Sequence, residues 1–234
     1  MRGGSATSNH FAPERPFRQQ ASDFGESRPL VLRHNADVRI EIRQETIAEL
    51  AWYASIPIAF DVSEVFEVTT ESDASQFALA TRRVADGYVK DYDAVGDGGP
   101  VQWSRRFDLS KWAFFAAFID GKRVGGATMA YDTPGLDMLE GRGDLAVLWD
   151  IRVAPSSRRH GVGTALFGTA VTWASDAGAR QLKVETQNIN VAACRFYARN
   201  GCILRAVRPG VYPEFPAEIQ LLWYKDLPSH TAAG

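Results

Sequence analysis

Residues 158–164 read Arg158-Arg159-His160-Gly161-Val162-Gly163-Thr164. This stretch joins a predicted strand at Leu145–Val153 to a predicted helix at Gly161–Ala177. The first turn of such a helix leaves backbone N–H groups unpaired at the positive end of the helix dipole. Those groups favour an anion such as a pyrophosphate, and the glycines allow it to approach the backbone closely. A tight turn with solvated arginines is the alternative.

The strand and the helix each predict a buried face. The odd positions of the strand are apolar, so we expect Leu145, Val147, Trp149, Ile151 and Val153 to share one side of a sheet. Helical spacing likewise predicts one apolar side of the helix, formed by Val162, Leu166, Ala170 and Trp173.

The rest of the chain continues this mixture of strands and helices. Further strands are predicted at Val38–Arg43, Val65–Thr70, Phe77–Ala85, Trp112–Ile119, Val124–Tyr131, Gln181–Thr186, Cys202–Val207 and Glu218–Tyr224. Further helices are predicted at Thr46–Ile56 and Val191–Arg199. The fold class is therefore α/β (α+β), a mixed central β-sheet flanked by helices. We expect a single domain at residues 37–228, an N-terminal extension at 1–36 and a C-terminal tail at 229–234.

Composition excludes several classes of function. A formal net charge of −2 over 234 residues lacks the basic footprint of a nucleic-acid-binding protein. No apolar run is long enough to cross a bilayer, and no signal segment follows Met1, so we expect no membrane partner and a cytoplasmic location. The two cysteines, Cys194 and Cys202, fit that reducing compartment and are expected in the core.

No metal site is predicted. The histidines at positions 10, 34, 160 and 230 lie far apart, and none has the spacing of a ligand pair. No Ser-His-Asp order occurs in a nucleophile-elbow context either, so covalent catalysis is not expected.

A second block, at residues 185–201, reads Glu185-Thr186-Gln187-Asn188-Ile189-Asn190-Val191-Ala192-Ala193-Cys194-Arg195-Phe196-Tyr197-Ala198-Arg199-Asn200-Gly201. With the first block it resembles the GNAT superfamily of N-acetyltransferases, which carries Arg-x-x-Gly-x-Gly and then Asn-x-x-Ala-x-x-Phe-Tyr. The run from Glu185 to Tyr197 looks in particular like the streptothricin acetyltransferases, which acetylate an amine on the β-lysine arm of an antibiotic. The resemblance is tight from about Leu145 to Tyr224 and loose from Phe60 to Tyr131.

The resemblance implies a GNAT fold with a splay between the fourth and fifth strands, and acetyl-CoA as the cofactor. Backbone N–H groups near Val153 would hold the thioester carbonyl and the pantetheine amides. The cofactor-binding residues that it implies are Ile151, Arg152, Val153, Arg158, Arg159, His160, Gly161, Val162, Gly163, Thr164, Asn190, Ala193 and Tyr197. Asn190 also opens a predicted helix, where Asn is a favoured N-cap, so both roles are open.

Three residues are candidates for catalysis. Tyr197 matches the position from which the family protonates the departing thiolate, although a tyrosine packed in the core would look the same. Asp150 and Glu185 lie on the strands that flank the implied splay, and either one is a candidate base for the acceptor ammonium. A solvated or ion-paired carboxylate is the alternative for each.

Two aromatic residues are candidates for the acceptor site. Trp149 stands where many family members carry a carboxylate, which leaves the identity of the base open. Tyr212 resembles part of the closing segment of streptothricin-type enzymes, although aromatic residues in closing segments are more often core.

The expected activity is acetyl transfer to a primary amine of a small cationic acceptor, such as a streptothricin-like antibiotic, by direct attack in a ternary complex. A protein or peptide amine acetyltransferase and a non-catalytic acyl-CoA sensor are the alternatives. The exposed closing strands would also allow a homodimer.

Overall fold

The computed structural model describes residues 39–70, 77–95 and 99–228. The extension predicted at 1–36 and the tail predicted at 229–234 lie outside the described residues, and the domain at 37–228 stays a prediction. The strands are β1 (Ile40–Glu45), β2 (Phe60–Thr70), β3 (Phe77–Lys90), β4 (Ala113–Ile119), β5 (Lys122–Tyr131), β6 (Leu145–Val153), β7 (Gln181–Gln187), β8 (Ile203–Pro209) and β9 (Ile219–Asp226). The α-helices are α1 (Leu50–Ala54), α2 (Trp103–Arg106), α3 (Val162–Asp176) and α4 (Val191–Arg199).

Seven of these strands form one mixed sheet in the order β1-β4-β5-β6-β7-β9-β8. The β6–β7 pair is parallel and is connected by α3, whereas the other pairs in the sheet are antiparallel. Strands β2 and β3 form a separate two-stranded sheet. The fold class predicted from the sequence is confirmed.

The β4–β5 hairpin forms as predicted, because its turn residues suit the required backbone. Asp120 and Gly121 have φ angles of 49° and 74°, and a two-residue hairpin turn with positive φ at both positions matches the twist of the strands. Register pairs Ile119 with Lys122 across this turn.

The predicted splay lies between β6 and β7, which are fourth and fifth in the sheet. Pairing runs from Leu145 with Gln181 to Leu148 with Val184 and then stops. Both strands continue beyond that point, β6 to Val153 and β7 to Gln187. The ends of the two strands therefore enclose a gap with unpaired backbone on each side.

The prediction that the odd positions of β6 share one face is wrong. Thr128 pairs with Asp150 and Met129 with Leu148, so Trp149 is an extra residue in a β-bulge. A bulge inserts one residue and reverses the alternation of side chains beyond it. Val147 and Trp149 thus pack on one side, while Ile151 and Val153 pack against the main core on the other.

Helices α3 and α4 cover one face of the sheet. Val162, Leu166 and Ala170 of α3 are buried against Ala127, Met129 and other core residues of β5 and β6. Tyr197 and Cys194 of α4 join the same cluster. Gly201 ends α4 with a φ of 79°, the left-handed conformation that stops a helix. Both helices confirm the sequence prediction.

The first part of the domain departs more from the prediction. The helix expected at Thr46–Ile56 is a short 3₁₀ turn, Ile47–Glu49, followed by α1, and α2 was not predicted. Strands β2 and β3 are longer than expected, because cross-strand pairing continues past the apolar pattern into exposed residues. Helix α2 is one turn long and follows Pro100, which begins the preceding 3₁₀ turn.

Two absences hold for the described ranges, 39–70, 77–95 and 99–228. None of their helices has the length and hydrophobicity that a bilayer span requires. Within the same ranges, His, Cys, Asp and Glu side chains do not gather in a group of three or more that could hold a metal ion.

Candidate active site

A cavity of about 500 Å³ opens at the splay between β6 and β7. Its walls come from the ends of these strands, the first turns of α4, and residues 57–60 and 92. The predicted site residues that line it are Trp149, Asp150, Ile151, Arg152, Val153, Arg158, Glu185, Asn190, Ala193 and Tyr197. Arg159, His160, Gly161, Val162, Gly163, Thr164 and Tyr212 lie outside its lining.

The backbone of β6 presents donors to the gap. Ala154 donates its N–H to the carbonyl of Val124 at 2.8 Å, so the backbone at position 154 faces β5. Successive residues of a strand direct their backbone groups to opposite neighbours. The N–H groups of Ile151 and Val153 therefore face β7, from which β6 has already separated.

The start of α3 presents a second set of donors. Ala165 makes the first intrahelical bond, to Gly161 O at 3.0 Å, and no side chain caps the helix start. The N–H groups of Val162, Gly163 and Thr164 are therefore free of helix partners. Gly161 has a φ of 85°, where a side chain would be strained, and Gly163 lies beside Val153 at the end of β6.

Arg158 is committed to backbone contacts. Its guanidinium donates to Val153 O at 3.1 Å, to Pro57 O at 3.3 Å and to Ala59 O at 3.2 Å. It holds the segment before β2 against the end of β6, and that segment forms one wall of the cavity. Arg159 and His160 are exposed, so their side chains are accessible to a bound anion.

Tyr197 reaches the cavity from α4. The residue is only 4% exposed, and its ring packs against Phe167 and Phe196 with centroid separations of 5.8 and 5.1 Å. Its hydroxyl makes no hydrogen bond to the described residues. Burial and the nearby Asp150 raise the pKa of the phenol, so it stays protonated at neutral pH.

Asn190 caps α4. Its Oδ1 accepts a hydrogen bond from the N–H of Ala193 at 3.1 Å, which is the N-cap interaction expected from sequence. Its side-chain amide N–H groups remain available to the cavity that it lines. The structural role is thus observed, and it leaves the cofactor role open.

Asp150 lies in a buried charge network with Arg152. Asp150 Oδ2 accepts from Arg152 Nε at 2.9 Å and from Nη2 at 2.8 Å. The same guanidinium donates to both oxygens of Asp93, at 2.5 and 2.9 Å, and to Ile56 O. Burial raises the pKa of Asp150 despite the opposing charge of Arg152.

Three buried oxygens lie together next to this network, Asp150 Oδ1, Tyr53 Oη and Thr128 Oγ1, and the Tyr53 phenol interacts with both of the others. Burial and the charge of the neighbouring Asp150 raise the pKa of Tyr53 well above its usual value. Tyr53 packs directly on Gly126, where an added Cβ would lie 2.7 Å from the ring.

Glu185 lies on the opposite strand and accepts three hydrogen bonds. Tyr212 Oη donates to its Oε1 at 2.6 Å, Gln187 Nε2 donates to Oε1 at 3.4 Å, and Gln220 Nε2 donates to Oε2 at 2.7 Å. Tyr212 was predicted at the acceptor site. It does not line the cavity itself, but it holds the carboxylate of Glu185, which does. Burial and the carboxylate together raise the pKa of the Tyr212 phenol.

Trp149 closes the cavity on the side of an aromatic cluster. Its ring packs on Phe107, Trp112 and Trp103 with centroid separations of 5.4, 5.5 and 6.4 Å. Met138 lines the cavity nearby, and its carbonyl accepts a hydrogen bond from the buried Lys183 at 3.0 Å. Lys183 also pairs with Glu140 at 2.8 Å, so it anchors the 137–140 segment to β7.

A family model for the Acetyltransferase (GNAT) family matches residues 84–202, just over half of the chain. The match spans both sequence blocks and the splay. The chain is a GNAT acetyltransferase. Members of this family use acetyl-CoA, and the protein is an N-acetyltransferase.

Two relatives of this GNAT acetyltransferase are both described as streptothricin acetyltransferases. Streptothricin acetyltransferase A of Bacillus subtilis (strain 168) is 44% identical over 81 residues, 34% of this chain and 47% of that protein. A streptothricin acetyltransferase of Escherichia coli is 30% identical over 168 residues, 70% of this chain and 84% of that protein. A crystal structure from Bacillus anthracis str. Ames, in complex with acetyl coenzyme A, has a TM-score of 0.65. It is 21% identical and covers 81% of this chain and all of that one, which shows the shared fold.

Several residues that line the cavity of the acetyltransferase were not predicted from sequence, among them Phe60, Tyr92, Met138 and Gln187. The residues behind the lining that contact Asp150, Arg152 or Glu185 were not predicted either: Tyr53, Asp93, Thr128 and Gln220. One usable signal was Gly125-Gly126 inside a strand, since glycine there marks a close approach by another group. At Gly126 that group is Tyr53. The other positions carry no local pattern that points to the site.

Proposed function

We propose that the protein transfers an acetyl group from acetyl-CoA to a primary amine of a small cationic acceptor, streptothricin or a related amine. The observation that carries this is the cavity at the splay, where Tyr197 and the carboxylates Asp150 and Glu185 meet. The names of the relatives support the acceptor class. Aromatic walls from Phe60, Tyr92 and Trp149 favour a compact acceptor over a peptide chain.

The fit to acetyl-CoA is supported by free backbone donors at two places. The first turn of α3 suits a pyrophosphate, because its N–H groups lack partners and Gly161 adopts a left-handed conformation. The N–H groups of Ile151 and Val153 suit the amide and carbonyl oxygens of the pantetheine arm. Arg159, His160, Asn190 and Ala193 complete the proposed binding set. When bound, the group supplies an activated acetyl thioester.

Asp150 is the better candidate to accept the proton of the acceptor ammonium. Its pKa is raised by burial, and Arg152 bonds only Oδ2, so Oδ1 can take up a proton. Glu185 accepts hydrogen bonds on both oxygens, so a proton would have to displace one of its donors. Because a protonated Asp150 cannot act as a base, activity should fall as the pH drops through its raised pKa.

Tyr197 is proposed as the acid that protonates sulfur. The amine nitrogen forms a bond to the acetyl carbon, the carbon–sulfur bond breaks, and the Tyr197 hydroxyl gives its proton to the leaving sulfur. The ammonium loses two protons in all. One passes through Asp150 to solvent, and the other restores the Tyr197 hydroxyl. The N–H groups of Ile151 and Val153 stabilise negative charge on the carbonyl oxygen.

The test is release of free thiol from acetyl-CoA by the purified protein with a panel of amines. The panel contains streptothricin, aminoglycosides, polyamines and short peptides. We expect rapid and selective turnover with streptothricin or another small polyamine. Turnover with peptides alone would contradict the acceptor class, and acetyl-CoA binding without turnover of any amine would contradict the whole proposal.

A further inference from the structure

Glu185 differs from the other shielded carboxylates of the site in what surrounds it. Asp150 and Asp93 share Arg152, Glu218 pairs with Lys90 at 2.5 Å, and Glu140 pairs with Lys183. Glu185 has neutral donors only: a phenol and two carboxamides. Among the described residues, no lysine, arginine or histidine lies within 4.0 Å of its oxygens.

The three donors fix the orientation of the Glu185 carboxylate but do not neutralise its negative charge. Tyr212 and Gln220 contact different oxygens, at 2.6 and 2.7 Å, and so determine the orientation of the group. A half-buried negative charge without a cation is costly, and proteins usually compensate it with a paired charge. Here the uncompensated charge faces the cavity that Glu185 lines, so the missing cation can enter from there.

Aromatic rings in the same cavity also suit a cation. Phe60 and Tyr92 both line it, with ring centroids 6.1 Å apart. Tyr92 donates its hydroxyl proton to Glu218 at 2.6 Å, and Lys90 neutralises Glu218. That pair holds the ring in place and adds no net charge. The Lys90 ammonium already lies 4.7 Å from the centroid of the Tyr92 ring, so Phe60 is the ring of this pair that remains for a cation from the cavity. The electron-rich faces of aromatic rings attract ammonium groups.

We propose that Glu185 is the counter-charge for a second cationic group of the acceptor, one that is not acetylated. This inference rests on the proposed function and narrows it to acceptors with at least two positive groups. Asp150 serves the amine that reacts, and Glu185 serves the one that anchors. Tyr212 and Gln220 are positioning residues, because they act by holding the Glu185 carboxylate.

The test compares Glu185→Gln with the wild type on matched acceptors. A series of linear diamines of increasing length is paired with amino alcohols, in which a hydroxyl replaces the distal ammonium. We expect Glu185→Gln to raise KM for the best diamine about 10- to 100-fold, the effect of losing a charged contact. KM for the matched amino alcohol should change less than about 3-fold, and the pH profile of kcat should be unchanged.

Matched variants distinguish binding of a second cationic group by Glu185 from a role of Glu185 as the base. Tyr212→Phe removes one donor but keeps the charge, so a smaller rise of KM, about 2- to 5-fold, is expected with diamines only. Glu185→Asp keeps the charge and should recover part of the lost diamine preference. A loss of kcat with both acceptor types in Glu185→Gln would overturn the proposal and make Glu185 the base. Equal increases of KM for both types would also overturn it.

Direct binding distinguishes failure of this inference from failure of the proposed function. Calorimetry of a diamine with the wild-type and Glu185→Gln proteins, each with CoA present, needs no turnover. At least about 10-fold tighter binding to the wild type supports the anchor even if no amine in the panel is acetylated. Equal binding refutes the anchor even if acetylation is fast. Thermal melting of both variants checks that they are folded.

Discussion

The two halves of the cavity are built in different ways. The proposed cofactor side is made of backbone at the end of β6 and the start of α3, within the short stretch from Ile151 to Thr164. The proposed acceptor side is made of side chains that are distant in sequence, such as Phe60, Met138 and Glu185. Backbone donors thus come from local conformation, whereas a pocket of charged side chains depends on the whole fold.

The two halves also differ in electrostatics. The cofactor side relies on unpaired N–H groups and the dipole of a helix start, with exposed arginine and histidine next to it. The acceptor side relies on buried ion pairs, of which Arg152 with two carboxylates is the most enclosed. Substitutions on the acceptor side should therefore affect both stability and acceptor affinity, while those on the cofactor side should affect acetyl-CoA binding.

The largest effect is expected for Lys183→Met. Lys183 is 1% exposed, and its loss leaves Glu140 without its closest cation and Met138 O without a donor. Because Glu140 is partly exposed, we expect a loss of about 2–4 kcal/mol in the free energy of unfolding. Urea denaturation measures it. The double variant Lys183→Met/Glu140→Gln should be more stable than the single one, and a single-variant loss under about 1 kcal/mol would contradict the role of this pair.

Tyr197→Phe tests the point where the two halves meet. We expect kcat to fall about 100-fold, since general acid catalysis contributes roughly 10²–10⁴-fold. The dissociation constant of acetyl-CoA should change less than about 3-fold, because the ring and its packing remain. Steady-state kinetics and calorimetry measure the two values. As a control, Tyr131→Phe removes a hydroxyl that bonds Gly143 O away from the cavity and should leave kcat unchanged. A normal kcat in Tyr197→Phe would remove this residue from the acid role.

Gly161→Ala tests the cofactor side. The φ of 85° at Gly161 is unfavourable for alanine by about 1 kcal/mol, so the helix start should shift and the dissociation constant of acetyl-CoA should rise about 5- to 10-fold. Gly168→Ala is the matched control, because Gly168 lies inside α3 with no atom within 4 Å of an added Cβ. The control should stabilise the protein by about 0.5–1 kcal/mol and leave binding intact. Equal binding by both variants would argue against this loop as the anion site.

The smallest effect is expected for Arg82→Ala, outside both halves. Arg82 and Glu67 form an ion pair on the β2–β3 sheet with side chains 58% and 56% exposed. Exposed pairs contribute little, so the free energy of unfolding should change by less than about 0.5 kcal/mol, with kinetics unchanged. A larger change, measured by urea denaturation, would show that this sheet supports the cavity.

The sequence predicted regular elements wherever the signal was local. The β4–β5 turn, α3, α4 and the bounds of β6 are confirmed, because turn residues, apolar spacing and a terminal glycine lie next to each other in the chain. The face of β6 was predicted wrongly, since the bulge at Trp149 depends on how β5 pairs with it. Sequence spacing within one strand contains no information about a partner strand.

The sequence by itself determined the family and the order of the central elements, because these depend on motifs within a few turns of chain. The tertiary structure alone decided which charges are compensated. Asp93 and Arg152 are 59 residues apart, and Gln220 and Glu185 are 35 apart, yet these contacts set the charge of the cavity. Electrostatic interactions act through space and depend on burial, so a carboxylate such as Glu185 acquires its character only when the chain has folded around it.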